Sequence, residues 1–475
     1  MSSDSPEPVP STRGSVAVWI LVAALLAGLL RFVRLGHWSL WLDEVFTWGD
    51  AHNIAAADNK AGYLLIRWTV EALGGDPTET ALRLAPALFG FAAIPLTYWA
   101  FHPLSGRTRA ATAALVVAVS AWEIQWSQTA RFYTMVQALG LLGGGVAIRG
   151  FLSARWILSV LGVGIAGLGH LFHLQGAVVA AAIGLAGVLI PPARSAAARR
   201  SARRSLLLFA LPGALAAPFA WSVFAKYLAQ KSIEDPIAGV AHFALTTGSF
   251  VTPTLAALAL GVVLSAWVRR ERVALFAAAV PVIGGAALAG AAGAATISAQ
   301  YAFAFFPWIA LLASWPMGWT KGSSRELRPL WLLVLVVPLL SQSVLYFTVE
   351  KGQRARWREA VELVAARRAP SDVVVGAPAP VVEFYLTGGR EVDVRHHDVV
   401  VQLDRYNPRP YAYLAQEERV VWFVVRNGYN LSMPRRERAD FERFLEEECR
   451  LVEHFPVLVE ARDLSISVWK FDPAR

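Results

Sequence analysis

Cysteine and charge are both scarce in this sequence. Cys449 is the single cysteine among 475 residues, so no disulfide can form within the chain and no metal cluster can rest on cysteine ligands. Charged residues make up 17% of the chain, against about a quarter in globular proteins. Hydrophobic residues make up 56% and occur in long runs. This composition favours an integral membrane protein over a soluble enzyme.

The formal net charge is +9. The basic residues lie in short segments between apolar runs rather than along one helical face. Such placement is typical of membrane topology and not of nucleic-acid recognition. We therefore expect the lipid bilayer as a partner and no nucleic acid.

A bilayer-spanning helix needs about 17 to 25 mostly apolar residues. Allowing for short or tilted helices, the sequence predicts about eleven spans, and no cleavage pattern follows the first, so it is retained. They are Val16–Val33, Ala81–Phe101, Ala110–Trp122, Phe132–Ile148, Trp156–Phe172, Leu174–Ile190, Leu206–Phe224, Thr252–Val268, Val273–Ala292, Tyr301–Trp315 and Leu330–Phe347. The run from Trp156 to Ile190 is too long for one straight span, which predicts a hairpin turning near Leu171, Phe172 and His173.

Arginine and lysine clusters fall in every second loop of this scheme, which predicts that the amino terminus and all five clusters face the cytoplasm. The intervening loops are poorer in positive charge and face the other side. An odd number of spans then places the carboxyl-terminal segment outside. The clusters are Arg107 and Arg109, Arg149 and Arg155, Arg194 to Arg204, Arg269 to Arg272, and Lys321 to Arg328.

The composition changes after the last span, because charged residues become frequent from Glu350 onward. Short β-rich runs at Asp372–Gly376 and Val420–Val425 alternate with amphipathic helices predicted at Ala355–Arg367 and Pro434–Cys449, which favours a small α/β domain. The predicted fold is thus a polytopic α-helical membrane protein with a soluble tail. Its parts are a disordered cytoplasmic tail (1–14), a transmembrane domain (15–349) whose first outer loop covers 34–80, and a soluble extracytoplasmic domain (350–475).

The first outer loop carries two adjacent carboxylates, Asp43 and Glu44, among the tryptophans Trp38, Trp41 and Trp48. Aromatic residues of this kind favour the membrane interface. A carboxylate placed there can act as a general base toward an acceptor hydroxyl. The alternative is structural: Asp43 caps a helix start and Glu44 is simply solvated.

The chain resembles the dolichyl-phosphate-mannose protein mannosyltransferase and aminoarabinose-transferase superfamily of GT-C glycosyltransferases (family 39/83-like). The resemblance rests on motifs that together are fairly specific, and it covers the hydrophobic body and the outer tail. These motifs are Arg34 and Leu35, the Ser39–Glu44 string, Arg83 with Ala85 and Pro86, and the Trp126–Tyr133 string.

The resemblance implies a membrane glycosyltransferase of the bacterial plasma membrane, with Asp43 as the base that activates the acceptor. The donor would be a polyprenyl-phosphate sugar, and the acceptor a lipid, glycan or protein of the cell envelope. Glu44 would orient the acceptor or, in metal-dependent relatives, help to hold a divalent cation. No cofactor is otherwise implied.

A phosphate leaving group needs cations or hydrogen-bond donors around it. Arg131, Tyr133, Arg83 and Lys226 are predicted for this role, although an interfacial arginine can also simply extend toward the headgroups. The chain departs from the family at Gln300–Tyr301, where relatives often carry Arg-Tyr near the donor phosphate. It also departs at Asp58, which stands where relatives carry a Pro-Pro-Leu-Tyr string and is a candidate second carboxylate.

His170 and His173 are spaced to share a helix face and are weak candidates for a metal site together with Glu44. Interfacial side chains without a ligand are the alternative. A different class of function, a transporter or flippase of lipid-linked sugars, would also use many spans and interior charges. Secondary transporters tend to show internal repeats, and this sequence shows none.

Overall fold

The computed structural model describes residues 12–56, 60–193, 195–197, 200–201, 204–205, 225, 239–293, 297–318, 326–389, 400–403, 419–427, 435–459 and 462–473. The predicted span Leu206–Phe224 and the candidate residues Asp58 and Lys226 lie outside these ranges. The chain forms two compact units that do not follow chain order. The first unit contains residues 1–31, 88–127 and 132–343, and the second contains 32–87, 128–131 and 344–475.

The first unit is built from α-helices whose positions follow the apolar runs. They are Thr12–Gly28, Arg107–Val119, Ala121–Ser127, Tyr133–Ser153, Trp156–Gly167, Gln175–Leu189, Val240–Val251, Pro253–Arg269, Arg272–Ala292 and Phe306–Ala313. Two longer helices, Glu79–Ser105 and Arg328–Thr348, contribute to both units.

Four of the described helices are long and apolar enough to cross a membrane, namely Glu79–Ser105, Tyr133–Ser153, Arg272–Ala292 and Arg328–Thr348. Val240–Val251 and Pro253–Arg269 would make a fifth if counted together, but they are bent by 99°. The prediction of a membrane protein is confirmed, whereas the count of eleven spans is not. At a rise of 1.5 Å per residue, a helix of 12 residues is only about 18 Å long, whereas the hydrocarbon core of a bilayer is about 30 Å thick. An apolar run therefore marks a helix without showing where that helix breaks.

The third predicted span, Ala110–Trp122, contains such a break. The helix ends at Val119, and the guanidinium of Arg31 donates to the carbonyls of Val117 and Ala118 at 3.0 Å each. The Ser343 hydroxyl donates to the Val119 carbonyl at 2.6 Å. These donors satisfy carbonyls that the helix leaves unpaired at its end, so the chain can stop and restart inside an apolar environment.

The hairpin predicted between Trp156 and Ile190 is present. Helix Trp156–Gly167 continues into a 3-10 turn at Leu168–Leu171, and the next helix begins at Gln175. Gly169 and Gly176 face each other so closely that a Cβ on Gly176 would overlap the Gly169 backbone. Small residues of this kind let two helices pack closely in a membrane.

The second unit joins the first outer loop to the carboxyl-terminal sheet. Its strands are β1 (Val373–Ala377), β2 (Val400–Gln402), β3 (Val421–Arg426), β4 (Cys449–Phe455), β5 (Leu458–Val459), β6 (Arg462–Asp463) and β7 (Ile466–Phe471). The main sheet has the strand order β2-β1-β3-β7-β4, with β1 parallel to both neighbours and β7 antiparallel to both, and β5 and β6 form a separate pair. Its helices are Leu42–His52, Lys60–Ala72, Trp357–Arg367, Ala379–Thr387 and Arg435–Glu448.

The sheet buries one hydrophobic core. Val375, Phe423 and Val425 from the central strands pack with Phe441 and Leu445 of helix Arg435–Glu448. The two parallel strands read as continuous apolar runs because both of their faces are covered. The two predicted strands and two predicted helices of this segment are therefore present, with boundaries within two residues of those expected.

Candidate active site

Glu44 lies in the first turn of helix Leu42–His52, immediately after the residue that the resemblance singles out as the base. Its carboxylate accepts the backbone N–H of Trp41 at 3.2 Å, which satisfies one of the free donors at the helix start. The side chain is completely buried. Glu44 is therefore not solvated, and the structural alternative is wrong on this point.

Arg83 binds Glu44 through two hydrogen bonds, from Nε to Oε1 at 2.8 Å and from Nη2 to Oε2 at 2.9 Å. Its remaining N–H groups donate to the backbone carbonyls of Leu35, Trp38 and Ser39 at 3.1, 2.8 and 3.0 Å. A guanidinium has five N–H donors, and these contacts use all of them. No donor remains for a phosphate, so the geometry argues against the donor-phosphate role predicted for Arg83.

Two further groups complete the surroundings of Glu44. The backbone N–H of Ala130 donates to Oε1 at 2.8 Å, and the buried Arg354 places Nε 3.5 Å from Oε2. Burial alone would raise the pKa of the Glu44 carboxyl, but the adjacent Arg83 and Arg354 guanidinium groups hold that pKa below its ordinary value. We call Glu44, Arg83, Arg354, Trp41 and Ala130 the Glu44 clamp. It ties the first-loop helix to segments far away in the sequence.

The neighbouring residue, Asp43, has different surroundings from Glu44. The side chain is half-buried, and no described residue forms a hydrogen bond or an ion pair with its carboxylate. Only its backbone carbonyl is engaged, accepting from the Thr47 hydroxyl at 2.9 Å and from Arg131 at 3.2 Å. Arg131 also donates to the Thr47 hydroxyl at 3.0 Å, so the cation predicted for the donor phosphate lies beside the Asp43 backbone.

Three further predicted residues meet in the first unit. The Tyr133 ring lies 5.4 Å from the His173 ring and 6.3 Å from the Tyr301 ring, and the His173 and Tyr301 rings are 5.2 Å apart, between centroids. Gln175 orients this group, because its side chain donates to the Tyr301 carbonyl and its backbone N–H to His173 Nδ1, the latter at 3.2 Å. The structure thus joins two donor-site candidates to a histidine that the sequence suggests as a metal ligand.

Other candidates are less well supported. Gln300 is half-buried, and His170 is exposed. No group of three or more His, Cys, Asp or Glu side chains that could hold a metal ion occurs within the described ranges. Since the oxygens of Glu44 are already taken by N–H donors, the metal site suggested for Glu44, His170 and His173 gains no support from the geometry.

Sequence reasoning missed Arg354, Arg358 and Tyr385, which attach the carboxyl-terminal segment to the first loop. The Tyr385 hydroxyl accepts from the Leu40 N–H at 2.6 Å and donates to Glu79 at 2.8 Å, and Arg358 forms an ion pair with Glu79. Burial and the Glu79 charge raise the pKa of Tyr385 well above its usual range, so the hydroxyl stays protonated and can keep donating. One sequence signal was available: a basic run just beyond the last predicted span, on the side that the arginine alternation predicts to be outside, where few basic residues are expected.

Gly352 holds the start of this segment against the first loop. It has φ +66°, and a Cβ there would lie 2.5 Å from the Trp38 indole. We expect Gly352→Ala to destabilise the protein by about 2–4 kcal/mol, from backbone strain plus overpacking. Gly388→Ala is the matched control, because Gly388 has φ +67° but open space around it. That variant should lose only about 1–2 kcal/mol. Equal shifts of the thermal unfolding midpoint would show that the Trp38 contact contributes nothing.

The chain is similar to a solved structure of ArnT from Cupriavidus metallidurans bound to undecaprenyl phosphate. The identity is 15% and the TM-score 0.55, covering 97% of this chain and 98% of the ArnT chain. The chain has the GT-C fold. The apo state of the same ArnT (14% identity, TM-score 0.52, 97% and 99% covered) gives the same result. The Archaeoglobus fulgidus oligosaccharyltransferase, tethered with an acceptor peptide containing the NVT sequon, matches with 12% identity and a TM-score of 0.53 over 87% of this chain and 69% of that chain.

No family model and no curated protein sequence matches the chain. The low identities mean that the likeness to solved structures concerns the fold. It confirms the fold that the resemblance implies. The adjacent carboxylates have different surroundings: no described residue binds the Asp43 carboxylate, whereas the Glu44 carboxylate accepts from Arg83, Ala130 and Trp41.

Proposed function

We propose that this chain is a membrane glycosyltransferase that moves a sugar from a polyprenyl-phosphate donor to an acceptor outside the cytoplasm. The observation that carries the proposal is the half-buried Asp43 carboxylate, which no described residue engages, held on a helix that the buried Glu44 fixes in place. A rigid support for an available carboxylate is what a positioned general base requires.

In the proposed reaction the acceptor hydroxyl oxygen attacks the anomeric carbon of the sugar. The bond from that carbon to the phosphate oxygen breaks, and the polyprenyl phosphate leaves with the bonding electron pair. The hydroxyl proton passes to the Asp43 carboxylate. Glu44 is a positioning residue in this scheme, because its oxygens accept from the N–H groups of Arg83, Ala130 and Trp41.

The charge that develops on the leaving phosphate needs donors nearby. Arg131 is the cation we assign to it, since its contacts to the Asp43 carbonyl and to Thr47 keep it beside the base. Tyr133 and Tyr301 lie in the first unit, where they form an aromatic cluster with His173, and a donor-binding role for their hydroxyl groups is part of the proposal. Support for a lipid-linked donor comes from the similar ArnT bound to undecaprenyl phosphate, and support for a peptide acceptor from the oligosaccharyltransferase with its tethered peptide.

The proposal includes the topology that the arginine alternation predicts. The amino terminus is cytoplasmic, eleven segments cross the bacterial plasma membrane, and residues 350–475 lie outside as a soluble domain. The first outer loop is then on the same side as that domain. This side is where an acceptor hydroxyl would reach Asp43.

The test is transfer by the purified chain from a synthetic polyprenyl-phosphate sugar to acceptors extracted from a strain that lacks the gene. We expect the labelled sugar to move to an acceptor from the deletion strain and not to one from the parent strain, where the acceptor is already modified. A chain that moves the lipid-linked sugar between the leaflets of vesicles, without transferring the sugar, is a flippase and contradicts the proposal.

A further inference from the structure

A cavity of about 250 Å³ lies in the second unit, between the start of the first outer loop and the segment that follows helix Arg328–Thr348. Sites for drug-sized ligands usually measure about 300 to 1,000 Å³, so this one suits a single small group. Its lining includes His37, Trp38, Lys351, Arg354, Arg356 and Glu359.

The charged groups of the lining are mostly cationic. Lys351, Arg354 and Arg356 bring three positive charges and Glu359 brings one negative charge, leaving a balance of +2. Glu359 accepts from Arg356 at 3.0 Å, whereas the exposed Lys351 ammonium forms no ion pair or hydrogen bond with any described residue. Cationic side chains around a small concave site concentrate the field on an anion.

Trp38 adds an unused donor. Trp38 is only 7% exposed and is one of the residues that line the cavity, and its indole N–H has no hydrogen-bond partner in the described part of the chain. Buried N–H groups of tryptophan usually find an acceptor. A ligand oxygen in the cavity would supply one.

The backbone that carries Lys351 is held in an unusual conformation. Lys351, Gly352 and Gln353 have φ of 52°, 66° and 53°, in the left-handed region that side chains other than glycine rarely adopt. The Gln353 N–H donates to the Glu350 carbonyl at 2.8 Å, and Arg462 donates to the Gln353 side chain at 3.2 Å. Such strain persists where the surroundings fix it, and it occurs preferentially at ligand-binding sites.

The position of the segment indicates which anion is available. Lys351 follows the membrane-spanning helix Arg328–Thr348 by three residues, which is the level of lipid headgroups. In the proposed topology this end of the helix is outside, where basic residues close to a span are depleted. A basic cluster there is not explained by topology and points to a ligand.

We infer that this cavity binds the phosphate group of a lipid at the outer membrane surface, as an anion subsite separate from Asp43. Arg356 and Lys351 bind the phosphate oxygens, and the Trp38 N–H donates to one of them. Arg354 lines the same cavity and also contacts Glu44, so it connects the subsite to the Glu44 clamp. The inference rests on the proposed function only for the location of the cavity outside the cytoplasm. The choice of a phosphate as the ligand follows from the cationic lining.

The test measures binding without turnover, using the purified full chain in a non-ionic detergent that contains no phosphate. Three probes are titrated by calorimetry: undecaprenyl phosphate, phosphatidylglycerol and inorganic phosphate. Arg356→Gln removes a cation that binds the phosphate and should weaken binding about tenfold. Lys351→Gln should weaken binding roughly three to five times, because the exposed Lys351 ammonium is screened more strongly by solvent. Glu359→Gln removes the acidic group of the lining and should tighten binding by the factor expected for Lys351→Gln, roughly three to five times.

Arg367→Gln is the matched control, since Arg367 is an exposed arginine at the end of helix Trp357–Arg367 and away from the cavity lining. It should leave all three affinities unchanged. The gain expected for Glu359→Gln separates a binding role from misfolding, because a damaged fold does not bind more tightly.

Opposite responses of Arg356→Gln and Glu359→Gln with a lipid probe support the inference, and the probe that responds more identifies the lipid. A response with inorganic phosphate alone overturns the lipid assignment, and identical affinities in all variants overturn the subsite. A chain that shows the expected binding but never transfers a sugar leaves the subsite standing and removes the proposed function.

Discussion

Asp43→Asn should reduce sugar transfer by about 10²–10⁴-fold, because an asparagine at this position cannot take the acceptor proton. The folded state should be almost unaffected, within about 0.5 kcal/mol, since no described residue binds the carboxylate that is changed. The measurement is kcat/KM for transfer from a synthetic polyprenyl-phosphate sugar, together with the thermal unfolding midpoint of the same preparation.

The matched control is Asp76→Asn. Asp76 is an exposed aspartate of the same loop whose side chain has no hydrogen bond or ion pair with any described residue. The same chemical change there should leave both transfer and unfolding as in the wild type. Transfer by Asp43→Asn at the wild-type rate would remove Asp43 as the base.

Much of this fold can be predicted from the sequence, because hydrophobic patterns decide where helices and strands form. The hairpin around His173, the helices on either side of it, and the strands β1 and β3 all follow from apolar runs. Apolar runs do not show where a helix breaks. Arg31 caps the helix that ends at Val119 through tertiary contacts, and the sequence around Val119 does not indicate these contacts.

The candidate site, too, can be predicted from the sequence only in part. The motif identifies Asp43 and Glu44 as a pair, but only the three-dimensional structure shows that described residues bind the Glu44 carboxylate and that none of them binds the Asp43 carboxylate. The partners of Glu44 come from separate segments, with Arg83 on the next long helix and Arg354 beyond the last one. A sequence read along the chain cannot reveal which of several arginines will reach a buried carboxylate.

Glu44→Gln should destabilise the protein by about 3–5 kcal/mol, because it leaves two buried guanidinium groups without their anion. The new amide also points N–H donors at the N–H groups of Arg83, Ala130 or Trp41. Glu71→Gln makes the same change in an exposed ion pair of the same loop, where Arg67 lies 2.7 Å from Glu71. Exposed pairs contribute about 0–1 kcal/mol, so this control should shift the unfolding midpoint very little. Equal shifts for the two variants would contradict the clamp.

The pH dependence of stability tests the same contact independently. The arginines hold the folded-state pKa of Glu44 below its ordinary value of 4.5. Between the two pKa values the unfolded chain binds the proton more tightly, so the clamp stabilises the fold fully above about pH 4.5 and loses its effect as the pH falls through the lower, folded-state pKa. The difference in unfolding free energy between wild type and Glu44→Gln should therefore be constant near neutral pH and shrink below about pH 4.5. A difference that stays constant through acid pH would mean that the folded-state pKa of Glu44 is not lowered, and it would contradict the clamp.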